Sequence, residues 1–211
     1  MNKKIGFDLS QITKIFSLKV GKQGLELTDW LKANAYTLTP FQTELFDTIY
    51  EEVSEDGGYW NEEELKIQFV GMIFRAADVA VRDKIKVFYE RPLSATVKGY
   101  DLSVVSDCLI ATPLPFNTPD VPYFFLQEFK KKRGEKKDPE AQMLVAMLIA
   151  QQLNPEPKTL YGGYLIGHNW HFATLKDNHY TISRQFDATD KDDLLKIIFV
   201  LRKLKDIIHA H

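Results

Sequence analysis

Asp107, Glu128 and Lys130 are the residues of this chain whose types and spacing most directly suggest chemistry. An aspartate closing one apolar segment, with an alternating Glu-x-Lys closing the next, can put two carboxylates and one ammonium on one side of a sheet, because strand residues two apart share a face. Two carboxylates suit a hard divalent cation such as Mg²⁺, or Mn²⁺ in its place, which completes its shell with water and phosphate oxygens. A neighbouring ammonium stabilises charge that develops on a phosphate in the transition state. The set therefore suits metal-dependent hydrolysis of a phosphodiester.

These side chains need two strands. Leu102, Val104, Val105, Cys108, Leu109 and Ile110 give one extended apolar run, and Val121, Tyr123, Phe124, Phe125 and Leu126 give the next; both read as mostly buried strands. Residues 112–122 between them hold four prolines. Proline cannot donate to a ladder, so this stretch reads as a loop that returns the chain antiparallel to itself. Phe129 faces away from Glu128 and Lys130 and belongs in the core.

Further strands are expected at 84–90 and 93–99, with the pair above at 101–110 and 121–130, and then at 161–166, 169–175 and 179–186. Helices carry clear start signals. Thr39-Pro40 opens one through Phe41, Leu45, Phe46 and Ile49, and Asn61 caps a run from Glu62 to about Val79 with Leu65, Phe69, Met72, Ile73 and Ala76 on one stripe. Asp138-Pro139 opens a helix that stops at Asn154-Pro155, and Asp190 caps a last one. Helix, strands, helix, strands, helix is the order of an α/β (α+β) fold with a central mixed sheet flanked by helices. The polar break Glu51–Gly58 sets a helical N-terminal extension, 1–58, apart from a main domain over 59–211.

Two helical residues join the candidate site. Gln142 shares a stripe with Val145, Ala146 and Ile149, so its amide needs a partner, either at the active-site end of the sheet or, on a helix flank, in solvent. Glu62 stands at the N-terminal end of the stripe of Leu65, Phe69 and Ile73. Glu63 and Glu64 share its alternative explanation, an acidic first turn favoured by the helix dipole. Asp101 rivals Asp107 but starts its strand rather than ending it.

The chain has 211 residues, 45% hydrophobic and 27% charged, with a formal net charge of −2. That balance suits one sizeable core and excludes polyanion binding through an overall positive field. A local basic patch remains: Lys130 to Lys137 holds six basic residues in eight positions. Lys131, Lys132, Arg133, Lys136 and Lys137 form either a solvated loop or contacts along a nucleic-acid backbone. No segment approaches the roughly 18 apolar residues of a membrane span, and the lone Cys108 reads as a small buried hydrophobe in a reducing compartment, so a cytoplasmic location is expected.

A helical glutamate, Asp107, Glu128-x-Lys130 and a helix bearing Gln142 come in an order that resembles the PD-(D/E)XK nuclease superfamily, over roughly residues 60–175. The resemblance implies a restriction-endonuclease-like αβββαβ core. It implies Asp107, Glu128 and the helical Glu62 as ligands of Mg²⁺ or Mn²⁺, Lys130 as the group that orients or deprotonates the attacking water, and DNA as partner. Gln142 is similar to the helix glutamine of several nuclease families. Ser106 precedes Asp107 where the superfamily's name has proline. A homodimer is left open. The alternatives are a catalytically silent nucleic-acid- or protein-binding member of the same fold, and an interaction protein in which Glu128 and Lys130 form a surface ion pair of little energetic weight.

Overall fold

The computed structural model describes residues 3–4, 6–22, 24–33, 36–130 and 138–209. The first elements are β1 (Lys3–Lys4), α1 (Leu9–Phe16), β2 (Lys19–Gly21), α2 (Leu25–Leu31) and α3 (Pro40–Glu55). One helical run follows, made of α4 (Glu62–Glu64), a π-helical stretch (Leu65–Val70) and α5 (Gly71–Ala76). Then come the antiparallel strands β3 (Lys86–Val97), β4 (Tyr100–Leu114) and β5 (Thr118–Lys130), helix α6 (Pro139–Leu153), strands β6 (Leu160–Ile166), β7 (Asn169–Lys176), β8 (His179–Ile182) and β9 (Phe186–Asp187), and helix α7 (Lys191–His209).

All described strands join one mixed sheet ordered β1-β4-β5-β6-β7-β8-β2, with β3 along β4 and β9 along β7. β5 and β6 are parallel neighbours. Parallel strands cannot be joined by a tight turn, and α6 makes the crossover. Helices cover both faces, as the α/β (α+β) expectation has it. On one face α6 and α1 enclose Phe88, Leu93, Leu102, Leu109 and Ala111. On the other, α2, α3, the π-helical run and α7 enclose Cys108, Ile110, Phe125, Phe129, Trp170 and Phe172.

Caps at Thr39, Asn61 and Asp138 start their helices as the sequence predicts; Thr39 with Gln42, and Asn61 with Glu64, form reciprocal capping boxes. The segment before residue 58 carries more than helices. β2 pairs with β8, and the buried Trp30 donates from Nε1 to the Val200 carbonyl oxygen at 2.8 Å.

Three elements differ from the sequence reading. The strands expected at 84–90 and 93–99 are one strand, β3, carried through a distortion at Glu90. The proline-rich stretch is largely ladder, with only Pro115–Asn117 as a turn. Pro113 faces Pro119, and two opposed prolines fit a position where neither strand needs an N–H. The segment expected at 179–186 is two short strands, β8 and β9, which both pair with β7.

Candidate active site: a buried carboxyl pair

The distortion in β3 and β4 aims the site. Leu102 and Val104 belong to the α6-side core, and so do Leu109 and Ala111. The residues that β4 presents to that face thus change from even to odd numbers within a few positions. β3 changes with it, since Phe88 precedes the switch and Leu93 and Val97 follow it on the same side. The ladder is interrupted there: Tyr89 pairs Cys108 and Arg91 pairs Ser106, but Glu90 and Asp107 between them do not pair. Glu90 has φ of 51°, a left-handed conformation that costs a non-glycine residue about 1–2 kcal/mol. Ser106 is fully buried and its hydroxyl donates to the Cys108 carbonyl oxygen at 3.0 Å.

The switch brings Asp107 to Glu128. Cys108 pairs Gln127 at the end of the β4–β5 ladder, and Asp107 and Glu128 are the next residues of the two strands. Asp107 Oδ2 accepts from the Phe129 backbone N–H at 2.9 Å. Asp107 is 8% exposed and Glu128 is fully buried. Burial pushes the Glu128 pKa well up, and the Asp107 charge adds to this. Burial also raises Asp107, against the Phe129 amide and Lys130, which lower it. Two interacting buried carboxyl groups do not titrate singly, and the pair titrates as a unit. Beside them Cys108 is buried and its thiol pKa is driven up, first by burial and then by the two carboxylates, so it is no nucleophile.

Helix α6 supplies Gln142. Its Nε2 donates to Glu128 Oε2 at 3.2 Å across the buried face, which is the partner that its place on the core stripe demands. Glu128 Oε1 and Gln142 Oε1 have no hydrogen-bond partner.

Lys130 ends β5. Its Nζ lies 2.7 Å from Glu62 Oε1, with the lysine side chain 14% exposed. Burial works to lower the Lys130 pKa, but the Glu62 hydrogen bond and the charges of Asp107, Glu62 and Glu128 outweigh it, and the net shift is upward. Among the described residues no three carboxylate, histidine or cysteine side chains converge as a metal cage. Glu62 meets the site through its ion pair with Lys130.

Asp101, the rival aspartate, lies six residues along β4, roughly 20 Å away at strand rise, and accepts from Thr96 Oγ1 at 2.7 Å. Lys131, Lys132, Arg133, Lys136 and Lys137 lie outside the described residues.

Two charged residues at the site escaped the sequence reading. Lys66, in the π-helical stretch, bonds Glu63 at 2.9 Å and Glu90 at 2.7 Å and sits 5.8 Å from the Phe129 ring centroid. Glu90 faces Asp107 closely enough to raise its pKa. The signal was a glutamate inside an apolar strand pattern, next to Arg91-Pro92.

A cavity of about 510 Å³ walled by Tyr123, Phe124, Pro157, Tyr161 and Ile208 lies toward the other end of β5. It holds none of the site's groups.

The fold and site define an α+β protein with a mixed sheet between helical layers and a buried acid pair at a break in its ladder. No family model matches the chain and no curated protein matches it. Among the described residues no helix is long and apolar enough to cross a membrane.

Proposed function

We propose that this protein is a Mg²⁺-dependent phosphodiester hydrolase of the PD-(D/E)XK type that acts on nucleic acid, DNA first. The observation that carries the reading is the pairing of Asp107 with Glu128, held by Gln142 and flanked by Lys130. The element order supports it: helical run 62–76, β3, β4, β5, α6, β6 is the αβββαβ sequence of that superfamily.

The donor set fits a hard cation. Asp107 and Glu128 are oxygen ligands only, Glu128 Oε1 is buried without a partner, and Mg²⁺ needs one or two carboxylates beside water and substrate phosphate. When bound there, the ion would supply Lewis acidity on a phosphate oxygen and a more acidic water. The chain's own residues do the rest. Gln142 holds the Glu128 carboxylate, and Lys130, placed at the end of β5, would stabilise negative charge on the phosphate. Glu62 holds Lys130 in place until substrate arrives.

The test is cleavage of plasmid and single-stranded DNA, with an RNA arm, in Mg²⁺ or Mn²⁺. Wild-type protein should cut, and Glu128→Ala and Lys130→Ala should lose about 10²–10³-fold in rate. Equal activity in all three refutes the assignment. One observation favours a silent, nucleic-acid-binding protein instead: Lys130 is already satisfied by Glu62. That reading expects a salt-dependent DNA shift that survives both substitutions.

A further inference from the structure

We propose that Glu90 and Lys66 are positioning residues of the cation site, with Glu90 a third negative charge facing Asp107 and Lys66 the counter-cation that holds it and moderates the site's affinity for a divalent ion. The inference rests on the reading of Asp107 and Glu128 as a cation site.

Three observations meet here. Glu90 stands opposite Asp107 at the one place where the β3–β4 ladder opens. Lys66 Nζ is clamped between Glu90 at 2.7 Å and Glu63 at 2.9 Å and lies over Phe129, the residue between Glu128 and Lys130. Glu128, Asp107's neighbour in the pair, is fully buried with Oε1 unpartnered. A π-helical turn takes one residue more than an α-helical turn, and such turns recur at functional sites. Here it carries the lysine that reaches the edge strand.

Two lysines thus balance the acids. Glu62 engages Lys130 and its neighbour Glu63 engages Lys66, so the start of one helical run sets both cations. Removing either charge of the Lys66–Glu90 pair shifts the potential at the carboxyl pair in opposite directions. A unit charge within about a Debye length of a divalent ion changes its affinity by roughly fivefold.

Mn²⁺ binding followed by calorimetry and by electron paramagnetic resonance tests this on the full chain. Glu90→Gln should weaken Mn²⁺ roughly fivefold, Lys66→Met should tighten it by a similar factor, Lys66→Arg should match wild type, and the double variant Glu90→Gln with Lys66→Met should return close to wild type. A merely structural pair would lower affinity in both single variants. Either that result, or unchanged affinity in every variant while wild-type protein binds Mn²⁺, overturns the role of the pair alone. Wild-type protein that binds no Mn²⁺ overturns the cation site and this inference together.

Discussion

Glu128→Gln should make the protein in EDTA more stable while removing the cation site proposed for it. Glu128 is fully buried, its Oε1 is unpartnered, and burial beside Asp107 drives its pKa well up. At neutral pH the fold must either carry two negative charges in a closed space or hold a proton that the unfolded chain releases. A glutamine keeps the shape and needs no proton. Its Oε1 can accept from Gln142 Nε2, as Glu128 Oε2 does at 3.2 Å, and its amide N–H can donate to Asp107. Relieving one unsatisfied buried group contributes about 1–3 kcal/mol. For a chain of 211 residues, 1 kcal/mol moves the melting midpoint by about 2–4 °C, so the gain is about 2–12 °C. The sign with pH follows from the direction of the shifts. Asp107 and Glu128 are both raised, so the folded protein binds more protons than the unfolded chain above the ordinary carboxyl range of about 4, and stability falls as pH rises through that window. The advantage of Glu128→Gln should therefore widen between pH 4.5 and 8, read by scanning calorimetry in EDTA. Added Mg²⁺ should stabilise wild-type protein, by about 2.7 kcal/mol at a hundredfold excess over Kd, and leave the variant unmoved. A variant that melts at or below wild type at pH 7.5 in EDTA, or a difference flat with pH, refutes the account of a charge-strained pair.

Gln142→Leu removes the only side-chain donor seen on Glu128 Oε2 among the described residues. It should cost about 1–3 kcal/mol in a thermal melt and weaken Mn²⁺ about 10–100-fold in calorimetry, as loss of a group that orients a ligand does. Gly163→Ala places a Cβ 3.0 Å from Trp170 Nε1, 3.2 Å from Phe125 Cζ and 3.3 Å from the His171 carbonyl oxygen; the carbonyl belongs to the sheet and cannot yield, so a loss of about 1–3 kcal/mol is expected in urea unfolding. Phe116 sits fully exposed at the β4–β5 turn with φ of 61°. Phe116→Asn gives up no packing and suits the left-handed turn, so the same assay should show a gain of about 0.5–1 kcal/mol.

Much of the site was legible because its signals are local. Glu128-x-Lys130 follows from the two-residue pleat, and Gln142 from a polar residue on an apolar stripe. The caps at Thr39, Asn61 and Asp138 follow from side chains that satisfy the first free amides of a helix. Periodicity cannot see a break in itself. The switch of face at Glu90 and Asp107 depends on a left-handed non-glycine residue and on two strands distorting together. Arg91-Pro92 marked the place but read as a gap between strands. Lys66 depends on a π-helical turn, which apolar spacing does not distinguish from an α-helical one over so short a run. β1 and β2 are too short for a pattern and owe their existence to pairing with β4 and β8.

The break in the ladder is also the strongest structural argument that the carboxyl pair is selected for use. Without the switch, the odd residues of β4 would stay on the face opposite Leu102 and Val104, and Asp107 would point away from Glu128, whose side chain meets α6 through Gln142. A regular pleat would have been more stable on three counts: no left-handed Glu90, no interrupted pairing, no two carboxyl groups buried together in the core. The fold accepts all three at one point. It surrounds that point with side chains that hold it in place: Ser106 on the carbonyl of Cys108, the Phe129 amide on Asp107, Gln142 on Glu128, and Lys130 and Lys66 on three glutamates. Strain that this many partners maintain is the pattern of an organised site, and under the proposed function a divalent cation would offset the cost of burying the two carboxyl groups together.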